Sequence, residues 1–249
     1  MNKGLTTVVA TALLWATLVM TGCATTGVDE HRNRAAALNI QLGLAYLKQK
    51  KLDLAEIKLG RALKESPRSS TAQWANALLY EKLGNLDLAE MHYRRAVALA
   101  PKDSDAQNNF GAFLCRTGRV KEALSAFDAA LKNPLYAKRE FAITNAGICL
   151  RKHNDHAGAG AEDYFRRALK ENPRYAPALY QMADMLYEQG RYLSSRAYRQ
   201  RLEEALPRPE PKVLTLCIKT ERAMGNNEVA NRCEAQLKSR FPGVQTESK

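Results

Sequence analysis

The sequence predicts an all-α fold, a right-handed superhelical solenoid of about six helix-turn-helix repeats that spans residues 35–249. The first observation is a set of prolines that recur along the chain: Pro67, Pro101, Pro134, Pro173, Pro207 and Pro242. The intervals 67–101 and 173–207 are each 34 residues long. The second is that small residues recur at fixed places between these prolines, as expected where two helices of one repeat approach closely.

The small and aromatic residues match the skeleton of tetratricopeptide repeats. Repeat one carries Gly43, Tyr46, Ala55, Ala62 and Pro67, and repeat two carries Ala77, Tyr80, Ala89, Ala96 and Pro101. Repeats three, four and six keep the skeleton, whereas repeat five is degenerate in its second helix. Repeat four needs about two extra residues in its turn, near His153 and His156. We expect the last repeat to cap the stack, since single hairpins cannot bury their apolar faces alone.

Residues 1–22 have the layout of a secretory signal peptide, with Lys3 before an apolar run from Val8 to Met20 that is too short to span a bilayer. The sequence MTGC at residues 20–23 resembles the lipobox of bacterial lipoproteins. The resemblance implies that Cys23 is lipidated, and Ala24 after it implies an anchor in the outer membrane, on its periplasmic face. An ordinary cleavage site before a cysteine is the alternative. Residues 23–34 are small and polar and indicate a flexible tether.

Export would place the four remaining cysteines in an oxidising compartment. Cys115 and Cys149 lie late in the first helices of neighbouring repeats, so we expect a disulfide between them. Cys217 and Cys233, on the two helices of repeat six, provide a further pair. The alternative is that these thiols are buried core residues.

The concave face of tetratricopeptide proteins is lined by the second, fifth, ninth and twelfth positions of each first helix. The predicted partner-binding groove comprises Ile40, Leu44, Leu47, Trp74, Leu78 and Asn108. At the other end, in repeat six, the same positions are mostly basic, with Lys212, Lys219 and Arg222. The alternative for Ile40 and Leu44 is that they pack under a covering N-terminal segment.

No catalytic motif stands out, and we expect neither an enzyme nor a cofactor or small-molecule substrate. Cys149, His153 and His156 have a ligand-like spacing, but a structural zinc usually needs four such ligands, so we expect no metal site. The net charge of +12 would suggest nucleic acid in a cytoplasmic protein. Export excludes that partner, and the basic surface then favours attraction to acidic envelope surfaces.

Three stretches carry a closer resemblance: NNFGAFLC at residues 108–115, NAGIC at 145–149 and MADMLY at 182–187. Together with the lipobox and the repeat number, they resemble the PilF/PilW family of type IV pilus biogenesis lipoproteins, from Cys23 to Pro242. The resemblance implies a pilotin, an outer-membrane lipoprotein that binds the secretin subunit of the type IV pilus and promotes its localisation and multimerisation. Two alternatives are a lipoprotein adaptor of β-barrel assembly and a peptidoglycan-modifying factor.

Overall fold

The computed structural model describes residues 23–153 and 159–244, and all regular secondary structure in these ranges is α-helical. The twelve helices there are α1 (Cys23–Lys48), α2 (Leu52–Glu65), α3 (Ser70–Lys82), α4 (Leu86–Leu99), α5 (Ser104–Arg116), α6 (Val120–Leu131), α7 (Arg139–His153), α8 (Ala159–Glu171), α9 (Ala176–Glu188), α10 (Tyr192–Ala205), α11 (Pro211–Ala223) and α12 (Asn227–Arg240). The expected all-α fold of tetratricopeptide-like helical hairpins is confirmed.

Consecutive helices pair as hairpins, so that α1 packs on α2, α3 on α4, α9 on α10 and α11 on α12. In repeats one, two, three, five and six the turn inside the hairpin is short and reverses the chain through a residue with positive φ. In repeat two this residue is Gly84, with φ of 80°, a conformation that glycine adopts without steric cost. Lys50 takes the same role in repeat one, with φ of 59°.

Polar side chains cap the N-termini of both helices of repeat two. The Ser69 hydroxyl accepts a hydrogen bond from the Ala72 N–H at the start of α3, and the Asn85 side chain accepts one from the Leu88 N–H at the start of α4. Such caps satisfy N–H groups that have no partner within the helix. The recurring prolines all lie in exposed positions after the second helix of a repeat, as the 34-residue frame predicts.

The chain divides into two compact units, Met1–Ala106 and Gln107–Lys249. In the first unit α3 packs on both α1 and α2. Its core contains eight buried side chains, namely Ile40, Leu47, Ala55, Leu59, Ala62, Ala72, Ala75 and Leu79. Small residues on α2 and α3 let the helices approach closely, and the larger leucines fill the space between them.

An apolar cluster of the second unit lies around Phe165, Leu179, Met182 and Leu186, all of which are completely buried. Gly147 on α7 allows the close approach of α8. A Cβ added there would lie 2.6 Å from the Phe165 ring. A smaller cluster at the end of the chain joins Leu214 and Ile218 of α11 to Leu237 of α12.

The described structure differs from the sequence prediction at the beginning of the chain. Residues 23–34, predicted to be a flexible tether, are helical and continuous with the first helix of repeat one in α1. Polar contacts support this extension: Glu30 and Arg34 form an ion pair one turn apart, and the Ser66 hydroxyl donates to Asn33 Oδ1 at 2.8 Å. The signal peptide expected at residues 1–22 lies outside the described residues.

Candidate protein-interaction surface

Fewer of the apolar residues predicted to line the groove in repeats one and two are accessible in the structure than the sequence analysis expected. Ile40 and Leu47 are each only 7 % exposed and belong to the core of the first unit. They are covered because residues of α3 share this core with them, so their inclusion among the groove residues was wrong. Leu44, Trp74 and Leu78 are half-buried and pack on the outside of the same core.

These three side chains form what we call the α1/α3 surface. Leu44 lies on α1, whereas Trp74 and Leu78 lie one turn apart on α3. The indole Nε1 of Trp74 is buried and has no hydrogen-bond partner. A buried N–H without a partner costs free energy in the free protein, and apolar contact sites commonly include a tryptophan. The α1/α3 surface can therefore bind an apolar side chain but offers no group for catalysis.

Asn108, the remaining residue of the predicted groove, is 1 % exposed in the second unit. Its Oδ1 accepts a hydrogen bond from Asn145 Nδ2 at 3.0 Å. This contact ties α5 to α7, the first helices of repeats three and four. Asn108 is thus a structural residue, and its assignment to an open groove was wrong because its side chain faces the next repeat.

In repeats four and five the corresponding face carries charged and aromatic side chains. Arg151 Nη2 lies 2.7 Å from both Asp184 Oδ2 and Glu188 Oε2, and Arg151 Nη1 donates to Gln181 Oε1 at 2.8 Å. Burial acts to lower the pKa of Arg151, but its bonds to Glu188 and Asp184 raise that pKa above the ordinary value. This face can therefore recognise polar or charged segments, with Arg151 held rigidly in place.

Repeats five and six share a buried charge cluster that the sequence analysis missed. Glu221 on α11 is 1 % exposed and accepts hydrogen bonds from Arg196 Nε at 2.9 Å and Arg199 Nη2 at 2.8 Å. Arg199 occupies the twenty-fourth position of its repeat, where Leu59, Tyr93, Phe127 and Phe165 stand in the first four repeats. An arginine at a position where the first four repeats carry a large apolar residue was the sequence feature that could have indicated this cluster.

The four cysteines of the second unit are paired in the structure. Cys115 and Cys149 form a disulfide between α5 and α7, with Cα atoms 5.6 Å apart, and Cys217 and Cys233 form one between α11 and α12. Their formation in the cell remains a prediction. Of the histidines considered as metal ligands, His153 places its Nε2 2.8 Å from the Cys115 carbonyl oxygen, and His156 lies outside the described residues.

Within residues 23–153 and 159–244, no cluster of three or more His, Cys, Asp or Glu side chains is arranged to hold a metal ion. In the same ranges, none of the helices combines the length and the apolar character that a membrane span requires.

Comparisons with known proteins agree with this architecture. The sequence profile of the tetratricopeptide repeat family matches residues 40–104, 74–140 and 150–208. The type IV pilus assembly protein PilF of Pseudomonas aeruginosa is 29 % identical over 230 residues, which cover 90 % of each chain.

Two solved structures are similar over nearly the whole of their own length. The crystal structure of PilW, a type IV pilus biogenesis factor, has a TM-score of 0.74 at 29 % identity, covering 86 % of this chain and 97 % of that one. The structure of P. aeruginosa PilF has a TM-score of 0.71 at 28 % identity, covering 86 % and 95 %. The homology supports a role in type IV pilus assembly.

Proposed function

Because the chain belongs to the tetratricopeptide repeat family and is homologous to the PilF and PilW pilus biogenesis proteins, we propose that it acts as a pilotin. In this role it binds the secretin subunit of the type IV pilus and promotes the localisation and multimerisation of that subunit. It does so from the periplasmic face of the outer membrane, to which a lipid on Cys23 anchors it.

The observation that carries the secretin-binding proposal is the α1/α3 surface. Leu44, Trp74 and Leu78 pack on a core of eight buried side chains and remain half-buried themselves. Contiguous apolar side chains that stay partly exposed are typical of protein contact sites. An amphipathic segment of the secretin supplies the apolar side chains that such a surface accepts.

Substitutions in this surface test the proposal. We expect Leu44→Asp and Trp74→Asp each to weaken capture of the purified secretin subunit about tenfold or more, because a charge would have to be buried in the contact. Leu193→Asp is the matched control, since Leu193 is 74 % exposed on α10 of the second unit and is not one of the three residues of this surface. Circular dichroism reports whether each variant is folded. A folded Trp74→Asp chain that captures the secretin at full strength contradicts the binding site.

The anchor is tested separately. We expect Cys23→Ser to release the chain from the outer-membrane fraction, because two or more acyl chains are needed for a stable membrane hold and serine cannot receive the lipoprotein modification. Mass spectrometry of the mature N-terminus checks the modification directly. An unmodified residue at position 23 in the wild-type chain would show that the anchor is absent.

The alternative function, an adaptor of β-barrel assembly, rests on the same repeat architecture. Deletion of the gene separates the two. The pilotin proposal requires loss of surface pili while barrel proteins still insert normally, and the alternative requires defective insertion.

A further inference from the structure

The outward faces of α2 and α4 carry the same three kinds of side chain in the same order. On α2 these are Asp53, Ile57 and Arg61, and on α4 they are Asp87, Met91 and Arg95, each 34 residues after its counterpart. Residues four apart lie on one face of a helix. Each helix therefore presents an acidic, an apolar and a basic side chain on successive turns, and we call these sets the two strips.

The apolar centre of each strip is open to solvent. Ile57 is 50 % exposed and Met91 is 49 % exposed, and the nearby Leu54 and Leu86 are 41 % and 47 % exposed. The fold does not require apolar residues here. The positions that match Ile57 and Met91 in repeats three to six carry Ser125, Asp163, Ala197 and Arg232.

The charged residues at the ends of the strips form no ion pairs within the part of the chain that the structure describes. Among the described residues, Asp53, Arg61, Asp87 and Arg95 form no ion pair or side-chain hydrogen bond with one another or with other groups, whereas the adjacent Glu90 and Arg94 pair at 2.7 Å. The charged ends are thus available to a partner, and the partner must present a basic group opposite each aspartate and an acidic group opposite each arginine.

We propose that the two strips bind the same strips of a second copy of this chain, in a two-fold symmetric dimer. Both α2 and α4 pack on α3 and run opposite to it, since short connections join them to α3. The two strips therefore run in the same direction. A two-fold axis that lies in the contact plane, perpendicular to the strips, reverses that direction in the second copy.

Under this symmetry each helix meets its own equivalent in antiparallel orientation. Ile57 faces Ile57 of the second copy, and Met91 faces Met91 of the second copy. The acidic end of every strip then opposes the basic end of its equivalent, so that four opposite-charge contacts surround a central apolar contact. An axis parallel to the strips would instead place aspartate against aspartate.

The same charge order argues against other occupants. An anionic membrane surface would attract Arg61 and Arg95 but repel Asp53 and Asp87. The apolar part of the contact consists of four partly exposed side chains, whereas a standard interface buries about 800 Å² and 20 to 30 residues on each partner. The charged ends must therefore take part, and we expect dissociation in the micromolar range. The α1/α3 surface lies on other helices and stays available.

Charge-reversal variants test the proposed dimer. The dimer dissociation constant of the full chain is measured by sedimentation equilibrium in density-matched detergent. We expect Asp53→Arg with Asp87→Arg to raise the dimer dissociation constant at least tenfold, because arginines then oppose arginines. Adding Arg61→Asp and Arg95→Asp to this variant restores opposite charges at every contact and should restore association. Glu228→Arg, at the same repeat position in repeat six, is the control and should leave association unchanged.

Cross-linking tests the position of the axis. We expect Ile57→Cys and Met91→Cys chains to form disulfide-linked dimers on mild oxidation. Ser125→Cys, at the matching position of repeat three, should form no disulfide-linked dimer. Circular dichroism confirms that each variant is folded. A wild-type chain that stays monomeric up to about 0.1 mM, or a fourfold charge variant that is folded but fails to associate, overturns the proposal.

Discussion

Glu221 is a carboxylate held almost entirely out of water by two arginines of the preceding repeat. Burial acts to raise its pKa, but the ion pairs with Arg196 and Arg199 act in the opposite direction and leave the pKa below its ordinary value of 4.5. Asn226 also donates to its Oε2 at 3.2 Å. The charged form is therefore the one that the folded chain stabilises.

At the residue scale we predict that Glu221→Gln lowers the free energy of unfolding at pH 7 by about 3 kcal/mol, because it leaves the buried Arg199 guanidinium without its main counter-charge. The folded pKa of Glu221 lies below the unfolded one, so its stabilisation is present above pH 4.5 and is lost as the pH falls through the folded value. Urea unfolding of both chains from pH 7 to pH 3 should show the difference shrinking. A difference that is constant across this range contradicts the assignment.

The matched control is Glu228→Gln, whose ion pair with Arg232 is exposed and joins residues one turn apart. Exposed pairs of this kind contribute little, so the control should unfold like the wild type at every pH.

This cluster also shows what the sequence could not predict at the residue scale. The arginine at a position where the earlier repeats have a large apolar residue marked repeat five as degenerate. Its partner lies 22 residues away in the next repeat, and which of several carboxylates it meets depends on how α10 packs on α11. Similarly, the position of Ile40 and Leu47 within repeat one was predicted correctly, but their burial depends on the side chains that α3 brings to the same core.

At the element scale, the helical hairpins followed directly from the 34-residue period, because glycine and alanine recur where two helices touch. The start of α1 did not follow from it, since residues 23–34 carry no repeat signal and are held by contacts such as Ser66 with Asn33. Periodicity predicts elements that pack regularly; it does not predict an extension that is fixed by individual polar contacts.

Two glycines within helices, Gly60 and Gly111, differ in how closely neighbouring atoms pack against them, and this difference predicts opposite effects of alanine on stability. A Cβ added at Gly111 would lie 2.9 Å from Phe127 Cδ1 and 3.1 Å from the Ala123 carbonyl oxygen, whereas one added at Gly60 would meet no atom within 4 Å. We predict that Gly60→Ala stabilises the chain by about 1 kcal/mol through helix propensity. Gly111→Ala should destabilise it, because overpacking of about 1 to 3 kcal/mol exceeds that gain. Thermal unfolding followed by circular dichroism measures both, and a stabilised Gly111→Ala chain would contradict the close contact.

At the scale of the whole molecule, the two units are stabilised in different ways. Both disulfides lie in the second unit, which spans Gln107–Lys249, while the described part of the first unit contains no disulfide. The sequence separations of 34 and 16 residues correspond to about 4 and 3 kcal/mol of loop entropy removed from the unfolded chain. In stacked repeats, a stabilising interaction acts mainly on its own repeat and on the repeats that contact it.

We therefore predict that reduction destabilises the second unit selectively. Once residues 1–22 are removed, Trp74 is the one tryptophan of the chain, and it lies in the first unit. Its fluorescence reports unfolding there, while far-UV circular dichroism reports both units. Dithiothreitol should lower the midpoint of the main circular dichroism transition in urea and leave the Trp74 midpoint nearly unchanged. Free-thiol counting on the oxidised chain provides the control, because four reactive thiols under denaturing conditions would show that neither disulfide forms. If both midpoints fall together, the two units unfold as one cooperative body, and the stabilisation from the disulfides reaches the α1/α3 surface as well.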